Sequence, residues 1–149
     1  HPRLAEQMLK DNNPGGQITS HTIVREGGRN AHLSGTAHPV TGIPFDKRQF
    51  AVFDNITKFD TKIPIEAALT RNAELHKRIA TRELREYVQN TQAFKYQFSQ
   101  EQLQAIMEGK SQIPGLVWHH HQDVGRMQLI SRDIHKMTGH VGGMEQWFK

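Results

Sequence analysis

The stretch Trp118-His119-His120-His121-Gln122-Asp123-Val124-Gly125-Arg126-Met127-Gln128-Leu129-Ile130-Ser131-Arg132-Asp133-Ile134-His135-Lys136-Met137-Thr138-Gly139-His140 decides how this chain is read. Five of its ten histidines fall between His119 and His140. An apolar run ends in histidines, Gly125-Arg126 turns the chain, and Met127-Gln128-Leu129-Ile130 forms a second run. Ser131 then stands where a serine hydroxyl caps the first turn of a helix, here expected to run to about Met137. The order predicts β-β-α, with histidines on the first strand and around the helix. Neutral imidazole binds metal ions, and its unperturbed pKa lies closest to neutral pH. A histidine cluster without cysteine therefore suits a site where one ring holds an ion and another moves a proton.

Neighbouring residues on a strand point to opposite faces, so His119 and His120 cannot do the same job unless the strand ends or bends there. The same alternation returns His121 to the face of His119. His140 follows His135 by five residues, about 500° around an ideal helix, so the two share no face. Gly139 is placed to end the helix first and let His140 swing back. Asp123 or Asp133 is a candidate oxygen ligand or partner of a ligating histidine, and Asp133 also suits the first turn of a helix.

Composition narrows the class. At 149 residues the chain is long enough for one domain with a sizeable core. Its hydrophobic content of 36% and mixed charge describe a globular chain. No apolar run approaches membrane-spanning length. The start His1-Pro2-Arg3, without Met or signal peptide, reads as a fragment of a longer protein. Zero cysteines rule out disulfides and thiolate metal sites. The net charge of +4 and pI near 9.6 suit a polyanionic partner such as nucleic acid.

Outward from the histidines, β-branched residues predict a strand over Gln17–Val24. Residues 31–54 read as loops and short strands, anchored on the core by Phe45, Phe50 and Phe53. A helix is expected from about Ile65 to Asn90, with Ala68, Leu75, Ile79, Leu84 and Val88 as its apolar stripe. Arg71, Lys77, Arg78, Arg82 and Arg85 make its other face basic, either as a solvated surface with local Glu–Arg pairs or as a phosphate contact. Ser99 and Gln102 predict a capping box for a further helix carrying Leu103, Ile106 and Met107, with Gly109 as its stop. The expected organisation is a single domain over 1–149, with an irregular and β lead-in (1–64), a helical part (65–110) and a core carrying the chemistry (111–149). His38 and His76 could reach a site, but exposed or capping positions are expected for them, and packing positions for Trp118 and Trp147.

Trp118-His119-His120, Gly125 to Ile130, His135, His140 and Gly142-Gly143 together resemble the WHH branch of the HNH/endonuclease VII nucleases. The segment Gly35-Thr36-Ala37-His38-Pro39-Val40-Thr41-Gly42-Ile43-Pro44-Phe45-Asp46 resembles the lead-in of the same domains. Such domains often form the toxic C-terminal tip of bacterial polymorphic toxins, including those of contact-dependent growth inhibition. The resemblance implies an α+β fold, a ββα-metal (His-Me finger) nuclease core with additional N-terminal helices and short strands. It implies that His119 is a metal ligand and His120 the general base, with His135 and His140 completing the metal set. Gln128 sits near where many HNH proteins carry an Asn that holds the base strand, so it is taken as the substitute. Arg126, Arg132 and Lys136 are the expected phosphate contacts, from location and, for the arginines, guanidinium geometry.

Phosphodiester hydrolysis needs a deprotonated water, charge relief on the phosphate and help for the leaving oxygen. One divalent ion serves the second and third needs, and a neutral histidine the first. The expected activity is thus a metal-dependent endonuclease toxin acting on DNA in the cytoplasm of target bacteria, delivered by a secreted or cell-surface protein. The alternative substrate is tRNA or rRNA; the alternative class is a metal-stabilised nucleic-acid-binding module. Zinc, magnesium, manganese and nickel are the candidate ions. A cognate acidic immunity protein is the expected partner, as a producing cell must survive its own nuclease.

Overall fold

A computed structural model of the chain describes residues 30–46, 48–139 and 143–148. The expected strand over Gln17–Val24 and the candidate ligand His140 lie outside these residues. The described residues form an α+β fold around a three-stranded antiparallel sheet of order β1-β3-β2. The strands are β1 (Phe59–Lys62), β2 (Leu116–His120) and β3 (Arg126–Ser131). Helices α1 (Ile65–Ala68) and α2 (Ala73–Asn90) follow β1, α3 (Gln100–Met107) precedes β2, and α4 (Arg132–Thr138) follows β3 directly.

The β-β-α unit forms for the local reasons legible in the residues. Gly125 takes φ +81°, a left-handed conformation that lets the chain reverse into β3. An added Cβ there would stand 3.0 Å from the Ile63 carbonyl oxygen. Ser131 caps α4 by accepting from the Ile134 N–H at 3.3 Å. On α3 the Ser99–Gln102 capping box is complete in both directions.

The expected single helix from Ile65 to Asn90 is two. Asn72 accepts from the Leu75 N–H at 3.0 Å and starts α2 afresh. Asparagine stabilises such a cap better than a helix interior, so the apolar stripe continues across a break. Strand β1 pairs with β3 through Phe59–Leu129 to Lys62–Arg126.

Strand alternation divides the sheet into two unlike faces. Leu116, Trp118, Met127 and Leu129 point toward α2 and α3, burying with Ala80, Leu84, Val88 and Ile106. Each fully buried large apolar side chain in this cluster stabilises by roughly 1.5–3 kcal/mol. The Trp118 indole donates to Thr81 Oγ1 at 2.9 Å, satisfying its polar edge inside the core. On the other face, Ile130 and Val117 pack with Ile43, Phe45, Phe53 and Ile134, the lead-in loop and α4.

The lead-in is fastened to the histidine-bearing elements by buried polar groups. Asp46 accepts from the N–H groups of Arg48 and Phe50, and from the Gln122 side chain at 2.8 Å. Arg48 closes the cluster through Gln122 Oε1 and Asp46 Oδ2. Asn30 donates to the carbonyls of Thr138 and Gly139, capping the C-terminal end of α4. At the far end Gly143 packs on the strand end, its N–H donating to the His120 carbonyl at 3.1 Å. An added Cβ at Gly143 would lie 2.5 Å from the Gln122 nitrogen, so the approach admits no side chain.

Candidate active site

Register fixes which histidines share a face. His119 lies opposite Gln128 of β3, and Gln128 opposite Asp60 of β1, so these three share the face toward α4. His135 comes down from α4 onto His119, with ring centroids 5.5 Å apart and planes at 63°. Phe53, fully buried, walls the pair at 4.8 Å from His119 and 5.7 Å from His135. Burial, then the charge of Lys77, lowers the pKa of His135 and so favours the neutral, ligating form.

His120, the last residue of β2, points to the opposite face. Its Nε2 is 3.2 Å from Nδ1 of His76 on α2, and its ring lies 5.1 Å from that of Trp147. Burial, then the neighbouring His76 and Lys77, pulls the His120 pKa down to about 3. At neutral pH His120 is therefore an uncharged ring. The sequence-predicted pair His119 and His120 is thus divided between the faces of a strand, as alternation requires. β2 is an edge strand, however, so its two faces meet along one border. Lys77, half-buried on α2, acts on both His120 and His135 across that border. Its ammonium pairs with no carboxylate among the described residues.

His121 is on the face of His119 but belongs to a different arrangement. Its Nδ1 accepts from the Asp123 N–H at 3.0 Å, and its Nε2 lies 3.6 Å from Asp54 Oδ1 and 3.4 Å from Arg126 Nη1. Arg126 bonds Asp60 at 2.7 Å and approaches Asp54 and Asp123 at 3.4 and 3.6 Å. Burial alone would lower the Arg126 pKa, but Asp60, Asp54 and Asp123 hold it above its ordinary value. Burial would likewise raise the Asp54 pKa; His121, Arg126 and Gln128 outweigh it and bring the group from 3.8 to about 2. The guanidinium expected to clamp phosphate is therefore enclosed by carboxylates of its own chain. Arg132 and Lys136 are exposed, one helical turn apart on α4.

Gln128 donates to Asp54 at 2.8 Å and Asp60 at 3.0 Å, tying β3 to β1 and the loop before it. Its Oε1 is buried without a hydrogen-bond partner, directly cross-strand from His119. Two imidazoles meeting edge to face, on the side of the sheet that carries a buried oxygen with spare acceptor capacity, are donors of the kind a divalent cation takes. Among the described residues no third His, Asp or Glu completes a three-ligand group with them.

Sequence reasoning placed Phe53 in packing, gave His76 only as able to reach a site, and gave Lys77 only as one of a row of basic residues on its helix. His76 is fully buried against His120 rather than exposed or capping, whereas His38 does cap its own turn, accepting from the N–H groups of Val40 and Thr41. The contact joins residues 44 apart in sequence, which no local pattern reports. Trp118 and Trp147 are packing residues, each nearly inaccessible.

The Colicin-DNase family model, described as the DNase/tRNase domain of colicin-like bacteriocin, matches residues 43–142. No curated protein and no solved structure gave a significant match. The chain belongs to the colicin-DNase family and is a nuclease toxin domain, DNase or tRNase. Its sheet and α4 are compatible with a ββα-type nuclease core. No helix among the described residues is long and apolar enough to cross a membrane.

Proposed function

We propose that this domain is a divalent-metal-dependent endonuclease that cuts DNA, carried into the cytoplasm of a target bacterium as part of a secreted or cell-surface toxin of the contact-dependent type. The observation that carries the reading is the facing pair His119 and His135, with His120 at the end of the same edge strand. His119 and His135 are the proposed metal ligands, with His140 as the third. When bound, a divalent ion neutralises charge on the phosphate and assists departure of the 3′ oxygen.

His120 is the proposed general base. As a neutral ring it has one lone pair with which to take a proton from the attacking water. Gln128 keeps the sheet in register beneath His119 through Asp54 and Asp60, and Arg126 locks the turn that follows His121. In this reading Arg126 acts through the turn's geometry rather than as a phosphate clamp. Arg132, Lys136 and Lys77 supply the cationic border along which a phosphate backbone lies. DNA is preferred because contacts from a short helix to the backbone need little base readout. An acidic immunity protein is the proposed partner, drawn by the net charge of +4 and the exposed Arg78 and Arg82 of α2.

A digestion of supercoiled plasmid and total RNA with a panel of zinc, magnesium, manganese and nickel tests this. Nicking of plasmid that needs metal and stops with chelator is expected. Cleavage of tRNA with plasmid left intact would reassign the substrate. A mobility shift without cutting would replace the enzyme with a binding module.

A further inference from the structure

We propose that His76 is a positioning residue of this site: it holds the His120 ring in the Nε2–H tautomer, so that Nδ1 is the nitrogen left to accept a proton. The proposal rests on the reading of His120 as the base.

A chain of three groups from three elements carries it. His76 Nε2 lies 2.9 Å from the carbonyl oxygen of Ala67 on α1. A carbonyl only accepts, so the hydrogen in this bond belongs to His76 Nε2. A neutral imidazole has one N–H, which leaves Nδ1 of His76 as an acceptor. That atom faces His120 Nε2 at 3.2 Å, so His120 must donate and its own proton sits on Nε2. The His76 ring is fully buried and no carboxylate among the described residues touches it, and burying an unpaired cation is costly.

The surroundings leave little freedom to either ring. Trp147 packs against both at a tilt, with centroids 5.2 Å from His76 and 5.1 Å from His120, and its indole donates to the His121 carbonyl at 2.8 Å. His76 is in the first turn of α2, and its N–H donates to the carbonyl of Asn72. The break between α1 and α2 thus serves the site. There the Ala67 carbonyl accepts from the Thr70 N–H at 3.1 Å and the Thr70 hydroxyl at 2.7 Å, and still meets His76 Nε2 in the first turn of α2.

Long-range proton–nitrogen NMR of the imidazoles in the metal-free wild-type chain reads the tautomers without a substitution. Both His76 and His120 are expected as Nε2–H, and Nδ1–H at His120 would overturn the proposal. In plasmid cleavage at saturating metal, His76→Phe removes the acceptor, so kcat should fall about 10²-fold with KM unchanged. His76→Gln keeps an amide oxygen for His120 and an amide N–H for Ala67, and should retain activity within about tenfold of wild type. A folded His76→Phe protein with wild-type kcat would overturn the positioning role. Should the Phe variant not fold, a His76→Gln rate as low as that of His120→Ala would do the same. Wild-type cleavage by His120→Ala would remove the base reading and with it the catalytic purpose of His76, while the tautomers would still show whether the hydrogen-bond chain exists.

Discussion

His120 and His121 are adjacent and carry the same side chain, yet their ring nitrogens are committed in opposite ways. His121 turns into a closed ionic cluster, where one nitrogen accepts from the Asp123 backbone and the other faces Asp54 and Arg126. His120 turns into an apolar niche, where one nitrogen meets His76 and the ring rests on Trp147. A histidine whose two nitrogens are both engaged by the fold is a structural staple. One with a single nitrogen engaged among the described residues fits the proposed base. In the proposed reading the contrast separates two jobs, stability on the Arg126 side of the strand and chemistry on the His76 side, which substitutions can pull apart.

The largest expected effect is on chemistry. His120→Ala should lower the cleavage rate by about 10²–10⁴, with melting temperature and metal affinity close to wild type. Rate and zinc calorimetry on one preparation check this; unchanged cutting would erase the contrast. Next is the staple. Asp54→Asn should cost about 2 kcal/mol at neutral pH, read by denaturant unfolding. The sign follows from a folded pKa depressed from 3.8 to about 2. The carboxylate's contribution is whole above pH 3.8 and disappears as the pH falls through about 2, so the two proteins should converge in acid. A constant difference over that range would mean that Asp54 stabilises through shape alone.

Smaller effects sharpen the metal and nucleic-acid sides. His135→Ala should weaken zinc binding more than His140→Ala does, because His135 sits on a capped helix while His140 follows its end; calorimetric titration of both decides. Equal losses would make His140 a full ligand arm. Arg132→Ala and Lys136→Ala should each reduce the salt dependence of DNA binding by about one in the log–log slope, with little change in cutting at low salt. Unchanged slopes would put the phosphate path elsewhere on the border, with Lys77 the first residue to try.

The β-β-α unit was legible because its determinants are local. Gly125 turns, Ser131 caps, and the alternation of Trp118, His119 and His120 follows from the pleat. The Ser99–Gln102 box was legible for the same reason. What escaped depends on distance or competition. Asn72 interrupts an apolar stripe that reads as one helix, since a cap overrides periodicity without altering it. β1 gave no strand signal because its Phe-Asp-Thr-Lys run finds its partner only in β3. The enclosure of Arg126 draws on Asp54 and Asp60, 72 and 66 residues away, as well as on Asp123 in its own turn. From sequence Arg126 therefore looked like a free cation, and His76 like a histidine at an exposed or capping position.

In the proposed reading His120 is the base and His121 a staple. The most direct measurement compares cleavage by His120→Ala and His121→Ala at saturating metal, with a melting curve beside each. His120→Ala is expected to melt like wild type and scarcely cut, while His121→Ala melts lower and, when folded, cuts within about tenfold of wild type. A His121→Ala protein that is stable, binds metal and is dead, beside an active His120→Ala, would contradict it.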